Sequence, residues 1–91
     1  MNSKKIIEHK AYIKAFNKLP LQIQKRALEK IKLFKVDRLH SSLKDHPLIG
    51  NMQGRRSFSV TGDYRIIYKE EEQGIVFLFL NIGKHGQDIY R

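Results

Sequence analysis

The side chains best suited to acid–base chemistry are concentrated in the second half of this sequence. His46 lies in a segment punctuated by proline and glycine, and His85 lies close to the end of the chain. Asp63 and Arg65 are two positions apart, so in a strand their side chains would point to the same face. Imidazole exchanges protons near neutral pH, and a guanidinium fork binds two phosphate oxygens at once. Metal-free RNA cleavage would need such groups: a base for the 2′-hydroxyl, an acid for the leaving 5′-oxygen and a cation for the phosphate. Taken alone, however, these residues indicate only a basic α+β domain that could bind RNA.

Each of these residues also has an ordinary structural interpretation. Asp63 follows a glycine, which is common turn chemistry. Arg65 lies in an otherwise apolar stretch, where it must find a partner or reach solvent. Tyr90 could stack on an unpaired base or simply hold the terminus down. His9, near a strand–helix junction, and His40, after a helix, are interpreted as surface or structural residues.

The positive charge of the chain is concentrated in its first half. Residues 1–44 carry twelve Lys and Arg against three acidic residues, a net charge of +9, whereas residues 45–91 carry six of each and are neutral. A small domain with such a charge usually meets a polyanion, which can be nucleic acid, an anionic membrane or an acidic protein. We favour nucleic acid or the ribosome. The alternative is a lysine-rich helix surface that is merely well solvated.

The length and composition indicate one domain spanning residues 1–91, because two smaller pieces could not each bury a core. There is no cysteine, which excludes disulfides and thiolate metal sites. No apolar run approaches the roughly 20 residues that a membrane helix needs, and the N-terminus does not have the pattern of a signal peptide. We therefore expect a cytoplasmic protein that does not enter the membrane.

Hydrophobic periodicity predicts the element order β-α-α-β-β-β. A short strand over residues 4–9 precedes two helices, which are separated at Pro20 because the residue before proline avoids the helical region. An aperiodic stretch from Leu39 to Gly54 is expected to be a structured loop. Three strands follow, over residues 56–61, 64–69 and 75–82. A helical hairpin on one face of an antiparallel three-strand meander makes an α+β domain, whose other face is free to form a polar site.

Four segments of the sequence resemble the RelE/ParE toxins of bacterial toxin–antitoxin pairs, and the YafQ-like branch most closely. The resemblance covers essentially the whole chain, since the order of elements also matches. It implies a RelE-like microbial RNase toxin fold and a ribosome-dependent endoribonuclease that enters the A site and cleaves mRNA by 2′-hydroxyl attack. The four segments are His46-Pro47-Leu48-Ile49-Gly50, residues 54–68, residues 81–85 and residues 88–91.

The same resemblance assigns roles to individual residues. His46 matches the loop histidine of the YafQ-like branch, Asp63 its acid–base aspartate and His85 the histidine usually taken as general acid. Arg65 matches the phosphate-binding arginine of the RelE and YoeB branches. Substrate binding is expected from two aromatic residues and three cations: Tyr64, Tyr90, Arg55, Arg56 and Lys84.

The sequence also departs from the YafQ pattern. Ser59 stands where that branch has a second strand histidine, and a serine cannot exchange a proton near neutral pH. The resemblance implies a cognate antitoxin, the ribosome and mRNA as partners, and neither a cofactor nor a metal. Two alternatives stay open. One is a ParE-like inhibitor of DNA gyrase without nuclease activity, and the other is a catalytically weak nucleic-acid-binding module.

Overall fold

Two helices cover one face of a five-stranded sheet in the computed structural model, which describes residues 4–84. The elements are β1 (Lys5–Glu8), α1 (Lys10–Asn17), α2 (Leu21–Val36), β2 (His46–Pro47), β3 (Arg56–Ser59), β4 (Tyr64–Glu71) and β5 (Val76–Lys84). The strands lie in the order β1-β5-β4-β3-β2 across the sheet. Neither described helix is long and apolar enough to cross a membrane.

The two helices form a hairpin whose ends are satisfied by specific side chains. The His9 imidazole caps α1, because its Nδ1 accepts a hydrogen bond from the backbone N–H of Ala11 at 3.0 Å. Pro20 precedes α2 with φ −55°, which prepares the chain for the helix that follows. The Gln24 side chain of α2 donates to the carbonyls of Phe16 (3.0 Å) and Leu19 (3.2 Å) at the end of α1. The Gln24 side chain thus adds hydrogen bonds to carbonyls at the end of α1 and holds the two helices together. His9 serves as the cap at the start of α1.

Phe34 of α2 is at the centre of the core. Its side chain is fully buried and lies 4.7 Å from the ring of Phe58 in β3, nearly parallel to it. Its ring also meets those of Tyr68, Phe77 and Phe79 edge-on, with centroids 5.0, 5.1 and 5.7 Å away. Aromatic side chains bury large areas, and edge-on pairs add to that stabilisation. This aromatic cluster fixes α2 against strands β3, β4 and β5.

The sheet confirms the predicted antiparallel meander and the α+β class, and it adds pairings that the sequence did not indicate. β3 pairs with β4 and β4 with β5, both antiparallel. β1 joins the far side of β5 in parallel. The stretch predicted as a loop before β3 contains the edge strand β2, in which His46 pairs with Ser57 and Pro47 with Arg56. Two residues are too few to show any periodicity, and proline is tolerated in a strand at a sheet edge.

An irregularity in β5 decides which side chains share a face. The pairing with β4 passes from Ile67–Asn81 directly to Tyr68–Phe79, so Leu80 has no partner. An extra residue of this kind reverses the alternation that follows it. As a result, Phe79 and Ile82 both contribute to the helix-side core. Asn81 lies on the opposite face, beside its partner Ile67.

The face of the sheet opposite the helices is partly covered, whereas we expected it to be open to solvent. Ser57, Ser59, Arg65 and Ile67 alternate with core residues along β3 and β4, yet all four are buried. Three of these four side chains are polar. This polar, buried face is where a site can form.

We expect the Phe34→Ala variant to lose about 3–5 kcal/mol of unfolding free energy, because a large buried ring leaves a cavity among four aromatic neighbours. Val36 ends the same helix and is 83% exposed. Val36→Ala should therefore change the unfolding free energy by no more than about 0.5 kcal/mol. Urea unfolding followed by circular dichroism measures both values. Equal losses in the two variants would contradict the packing described for α2.

Candidate active site

Arg65 is a buried cation on the face opposite the helices. Its residue is 9% exposed, and its neighbours across the sheet are Ser59 of β3 and Gly83 of β5. Its Nε donates to the Ser57 hydroxyl at 3.0 Å, and one Nη2 hydrogen reaches the Lys44 carbonyl at 3.1 Å. No carboxylate within residues 4–84 forms an ion pair with this guanidinium. The side chain is therefore held by neutral acceptors that leave its positive charge uncompensated by that part of the chain.

The His46 imidazole lies beside this guanidinium. Its Nδ1 is 2.9 Å from the carbonyl oxygen of Lys44 and 3.3 Å from Nη2 of Arg65. A carbonyl oxygen can only accept, so the shorter contact requires a proton on Nδ1. His46 Nδ1 and Arg65 Nη2 are then both donors to the Lys44 carbonyl, so the 3.3 Å contact between them is not a hydrogen bond. The neutral imidazole consequently carries its lone pair on Nε2, where it can act as a base.

The other described histidines have the reverse arrangement. Nδ1 of His9 accepts from the backbone N–H of Ala11, and Nδ1 of His40 accepts from the backbone N–H of Ser42 at 3.1 Å. Their neutral forms must therefore carry the proton on Nε2. Among the three histidines that the structure describes, His46 alone has an Nδ1 that faces a carbonyl. It is also the one that lies beside a buried arginine.

The Lys44 backbone supplies the shared carbonyl in an unusual conformation. Lys44 has φ 50° and ψ 42°, in the left-handed region that residues with a side chain seldom occupy. Such a conformation costs of order 1–3 kcal/mol and persists only where the surroundings impose it. At this position the carbonyl is within hydrogen-bond distance of both His46 and Arg65. No residue-type signal in the sequence marks a lysine for this role.

The neighbouring Asp45 was not predicted as a site residue, although its carboxylate is almost fully buried. The Arg56 Nε donates to it at 2.7 Å, the Tyr68 hydroxyl donates to its other oxygen, and Arg38 lies 4.0 Å away. Burial, and then the hydrogen bond to Asp45, raise the pKa of the Tyr68 phenol well above its ordinary value. Burial alone would lower the pKa of Arg56, but its interactions with Asp45 and Tyr68 outweigh burial and raise it. Both partners therefore keep their protons at neutral pH.

Several other predicted site residues form no bond with Arg65. Asp63 is exposed in the turn before β4, and its backbone N–H bonds to the Thr61 hydroxyl at 3.1 Å. Its carboxylate has no hydrogen bond or ion pair with any other residue of the 4–84 stretch. Tyr64 packs against the helix-side core, on the face opposite Arg65. Ser59 lies beside Arg65 but donates its hydroxyl hydrogen to the Thr61 carbonyl at 2.6 Å.

The predicted substrate-binding cations are dispersed. Arg56 is bound by the Asp45 carboxylate, and Arg55 donates to the sulfur of Met52 at 3.2 Å. Lys84 is exposed at the end of β5, opposite Tyr64 in β4. His85 and Tyr90 lie outside the described residues. Of the predicted set, the structure therefore brings His46 and Arg65 together.

Comparison with known proteins decides the family. The family model for YafQ, the bacterial toxin of type II toxin–antitoxin systems, matches residues 4–89. This chain belongs to the YafQ toxin family. No curated protein sequence matches it.

Solved structures of toxins agree with this family and with its fold. A chain of the toxin–antitoxin complex RelBE2 from Mycobacterium tuberculosis has 18% identity and a TM-score of 0.77, covering 96% of this chain and 97% of that chain. The archaeal RelE–RelB complex from Pyrococcus horikoshii gives 23% identity and a TM-score of 0.74, with coverages of 93% and 98%. A chain of the DinJ–YafQ toxin–antitoxin complex from E. coli has 25% identity and a TM-score of 0.63, covering 91% of this chain and 93% of that chain. The RelE-like fold and the YafQ-like branch expected from the sequence are confirmed.

The assigned proton positions can be tested directly. In long-range ¹⁵N–¹H correlation spectra recorded at about pH 8, where histidine is mostly neutral, His46 should show a protonated Nδ1 and a bare Nε2. His9 and His40 should show the reverse pattern and serve as internal controls. His46→Gln identifies the His46 signals. A His46 spectrum that matches those of His9 and His40 would contradict the hydrogen bond to the Lys44 carbonyl.

Proposed function

We propose that this YafQ-family toxin is a metal-independent endoribonuclease that cleaves mRNA in the ribosomal A site. The observation that carries the proposal is a buried arginine, without a carboxylate partner in the described chain, beside a histidine whose Nε2 is left as a base. A buried cation that lacks a counter-ion favours an anionic ligand. Guanidinium binds phosphate oxygens with a geometry that fits their spacing.

The two side chains supply complementary parts of the reaction. Two of the five N–H groups of Arg65 bond to Ser57 and Lys44, and the remaining three would bind the non-bridging oxygens of the scissile phosphate. Nε2 of His46 would take the proton from the 2′-hydroxyl, and the oxygen would then attack the phosphorus. The bond to the 5′-oxygen breaks as the 2′,3′-cyclic phosphate forms. Stabilising charge on the phosphate lowers the barrier most where water is scarce.

The leaving 5′-oxygen must receive a proton from an acid. The family resemblance assigns this role to His85, with Asp63 as a second proton-transfer group. His85 lies just after β5, whose Gly83 is the cross-strand neighbour of Arg65. Asp63 lies two residues before Arg65 at the same end of the sheet. These positions, close to Arg65 in the sequence and to its partner strand, support both assignments.

The ribosome is proposed as the setting because of the charge distribution. Residues 1–44 carry the whole net charge of +9. α2 alone contributes Lys25, Arg26, Lys30, Lys32 and Lys35, against Glu29. Cations of this kind bind the phosphate backbone of RNA without sequence preference and with a strong salt dependence. Ribosome-bound mRNA as the substrate would place the protein in the cytoplasm.

The cleavage assay uses ribosomes programmed with a defined mRNA, incubated with purified protein, and maps the new 3′ ends. The wild-type protein should give a discrete cut in the A-site codon. His46→Gln should slow cleavage about 10²- to 10⁴-fold, since a positioned base contributes that much. Arg65→Lys keeps the positive charge but loses the two-pronged guanidinium group, and it should slow cleavage about 10²-fold. His85→Ala should abolish the cut if His85 is the acid.

The matched control is His40→Gln, which removes an imidazole that serves as a cap away from Arg65. It should cleave as the wild type does. Circular dichroism establishes that each variant is folded. Tight, salt-sensitive ribosome binding with no cut product would favour the catalytically weak module. Poisoning of DNA gyrase with mRNA left intact would favour the ParE-like inhibitor.

A cognate antitoxin is proposed as the second partner. The solved relatives named above include complexes of toxins with antitoxins. On this chain a groove of about 420 Å³ runs between β1, α1 and α2, and its lining includes Ile13, Leu28 and Lys35. Ile13 is 42% and Leu28 56% exposed, although both are large and apolar. The same groove is also lined by Glu8. Its exposed apolar side chains suit the apolar face of an amphipathic segment, and Lys35 can pair with an acidic residue of that segment.

Replacing Leu28 by Glu should weaken binding of the antitoxin encoded beside this toxin by about 10- to 100-fold. That loss corresponds to about 1.5–3 kcal/mol for one buried apolar side chain. Leu21→Glu is the control, because Leu21 is 65% exposed at the start of the same helix and does not line the groove. Isothermal titration calorimetry measures both constants. Equal weakening by the two variants would place the antitoxin elsewhere.

A further inference from the structure

Asp45 is a buried carboxylate that the proposed reaction does not use. It lies between Lys44 and His46 in the chain, and its side chain is 1% exposed. The carboxylate binds Arg56 of β3 and Tyr68 of β4, and Tyr68 also accepts a hydrogen bond from Arg38 at 3.1 Å. Arg38 is in turn 3.6 Å from Glu70 and lies over the Phe77 ring. These contacts join the chain after α2 to strands β3 and β4.

The residues on either side of Asp45 serve the opposite face of the sheet. The Lys44 carbonyl receives hydrogen bonds from both His46 and Arg65. Tyr68, in contrast, belongs to the helix-side core. In the segment 44–46, the side chain of Asp45 is therefore bonded on the helix side of the sheet, whereas the Lys44 carbonyl and the His46 imidazole lie beside Arg65 on the opposite face.

The backbone at Lys44 is in an unfavourable conformation, so neighbouring contacts must hold it there. Lys44 is left-handed, with φ 50°, and a lysine keeps that conformation only where its surroundings hold it. The side chain of Lys44 is exposed and has no hydrogen bond among the residues described. The Asp45 carboxylate is the adjoining group with strong, directional contacts. It is therefore the group that can hold the Lys44 carbonyl in place.

We propose that Asp45 is a positioning residue of the active site, which holds the Lys44 carbonyl where it fixes the His46 tautomer and orients Arg65. Without that carbonyl, nothing in the described structure holds the proton on Nδ1 of His46. The partner of one ring nitrogen determines which nitrogen is protonated. A proton on Nε2 would remove the base that the proposed reaction needs. The consequence for cleavage rests on the proposed function, but the claim about the His46 tautomer does not.

The test compares Asp45→Asn with Ile66→Val in long-range ¹⁵N–¹H spectra of the whole chain. Asparagine has the same shape but has lost the charge, and its amide nitrogen cannot accept from Arg56 or Tyr68. Tyr68→Phe removes one of the two donors and is the intermediate case. Ile66 is a buried core residue next to Arg65 in β4, so Ile66→Val reports the effect of a small loss of stability alone.

We expect the Nδ1–H population of His46 to fall in Asp45→Asn, to fall less in Tyr68→Phe, and to be unchanged in Ile66→Val. If the protein cleaves RNA, kcat/KM of Asp45→Asn should fall roughly 10- to 100-fold, as expected for displaced catalytic groups. A folded Asp45→Asn protein with a wild-type His46 spectrum would overturn the proposal, even if cleavage fell.

The two proposals fail in distinguishable ways. A tautomer shift in Asp45→Asn, combined with no cleavage by the wild-type protein, sustains the positioning role and rejects the nuclease. Wild-type cleavage with no tautomer shift in the folded Asp45→Asn variant sustains the nuclease and rejects the positioning role. Should Asp45→Asn fail to fold, Tyr68→Phe becomes the deciding variant. It changes a single hydroxyl, and an unshifted His46 spectrum in that variant would overturn the proposal.

Discussion

The buried charge of Arg65 determines which groups must surround it on the face of the sheet opposite the helices. A guanidinium stays protonated, so burying it requires acceptors for its N–H groups. Among residues 4–84 the acceptors are a serine hydroxyl and a backbone carbonyl, which bind two of its five N–H groups. Each such hydrogen bond to a charged group is worth about 1.5–3 kcal/mol, but neutral acceptors do not cancel the charge. A carboxylate in the same place would compete with an anionic ligand.

The contrast with two other arginines, Arg38 and Arg56, strengthens this interpretation. Arg56 and Arg38 lie near Asp45 and Glu70, and both are therefore compensated within the described chain. Arg65 is on the other face of the sheet, beside His46. Within residues 4–84, the sheet thus separates an ionic network around Asp45 on the helix side from Arg65 on the opposite face, where no carboxylate is paired with it. The proposed binding of an anionic phosphate at Arg65 depends on that separation.

The sequence predicted those parts of the fold that local pattern determines. The helical hairpin followed from apolar spacing and Pro20, and the three-strand meander followed from alternation and turn residues. The parallel pairing of β1 with β5 is a tertiary contact, which no local pattern encodes. The two-residue strand β2 and the unpaired Leu80 are too short to alter a periodicity. Alternation did carry one signal that went unused: Tyr64 and Arg65 are adjacent in a strand, so they must face opposite sides.

The candidate site was only partly visible in the sequence, for a different reason. The side chains of His46 and Arg65 are of types that commonly take part in proton transfer and phosphate binding, and the family resemblance selected both. Lys44 contributes a backbone carbonyl, and its lysine side chain gives no sign of a left-handed conformation. Asp45, next to a histidine in an aperiodic stretch, looks like any loop aspartate until its partners Arg56 and Tyr68 are known.

A domain of this size has few elements, so the same strands form both its core and its candidate site. Tyr68 illustrates the result: its ring is part of the aromatic core around Phe34, and its hydroxyl binds Asp45. The packing of the core is thereby connected, through one hydrogen bond and one peptide unit, to the carbonyl beside His46. Close-packed cores transmit small displacements rather than absorbing them. In a domain this small, the geometry of the candidate site is therefore set by the packing of the core as much as by His46 and Arg65 themselves.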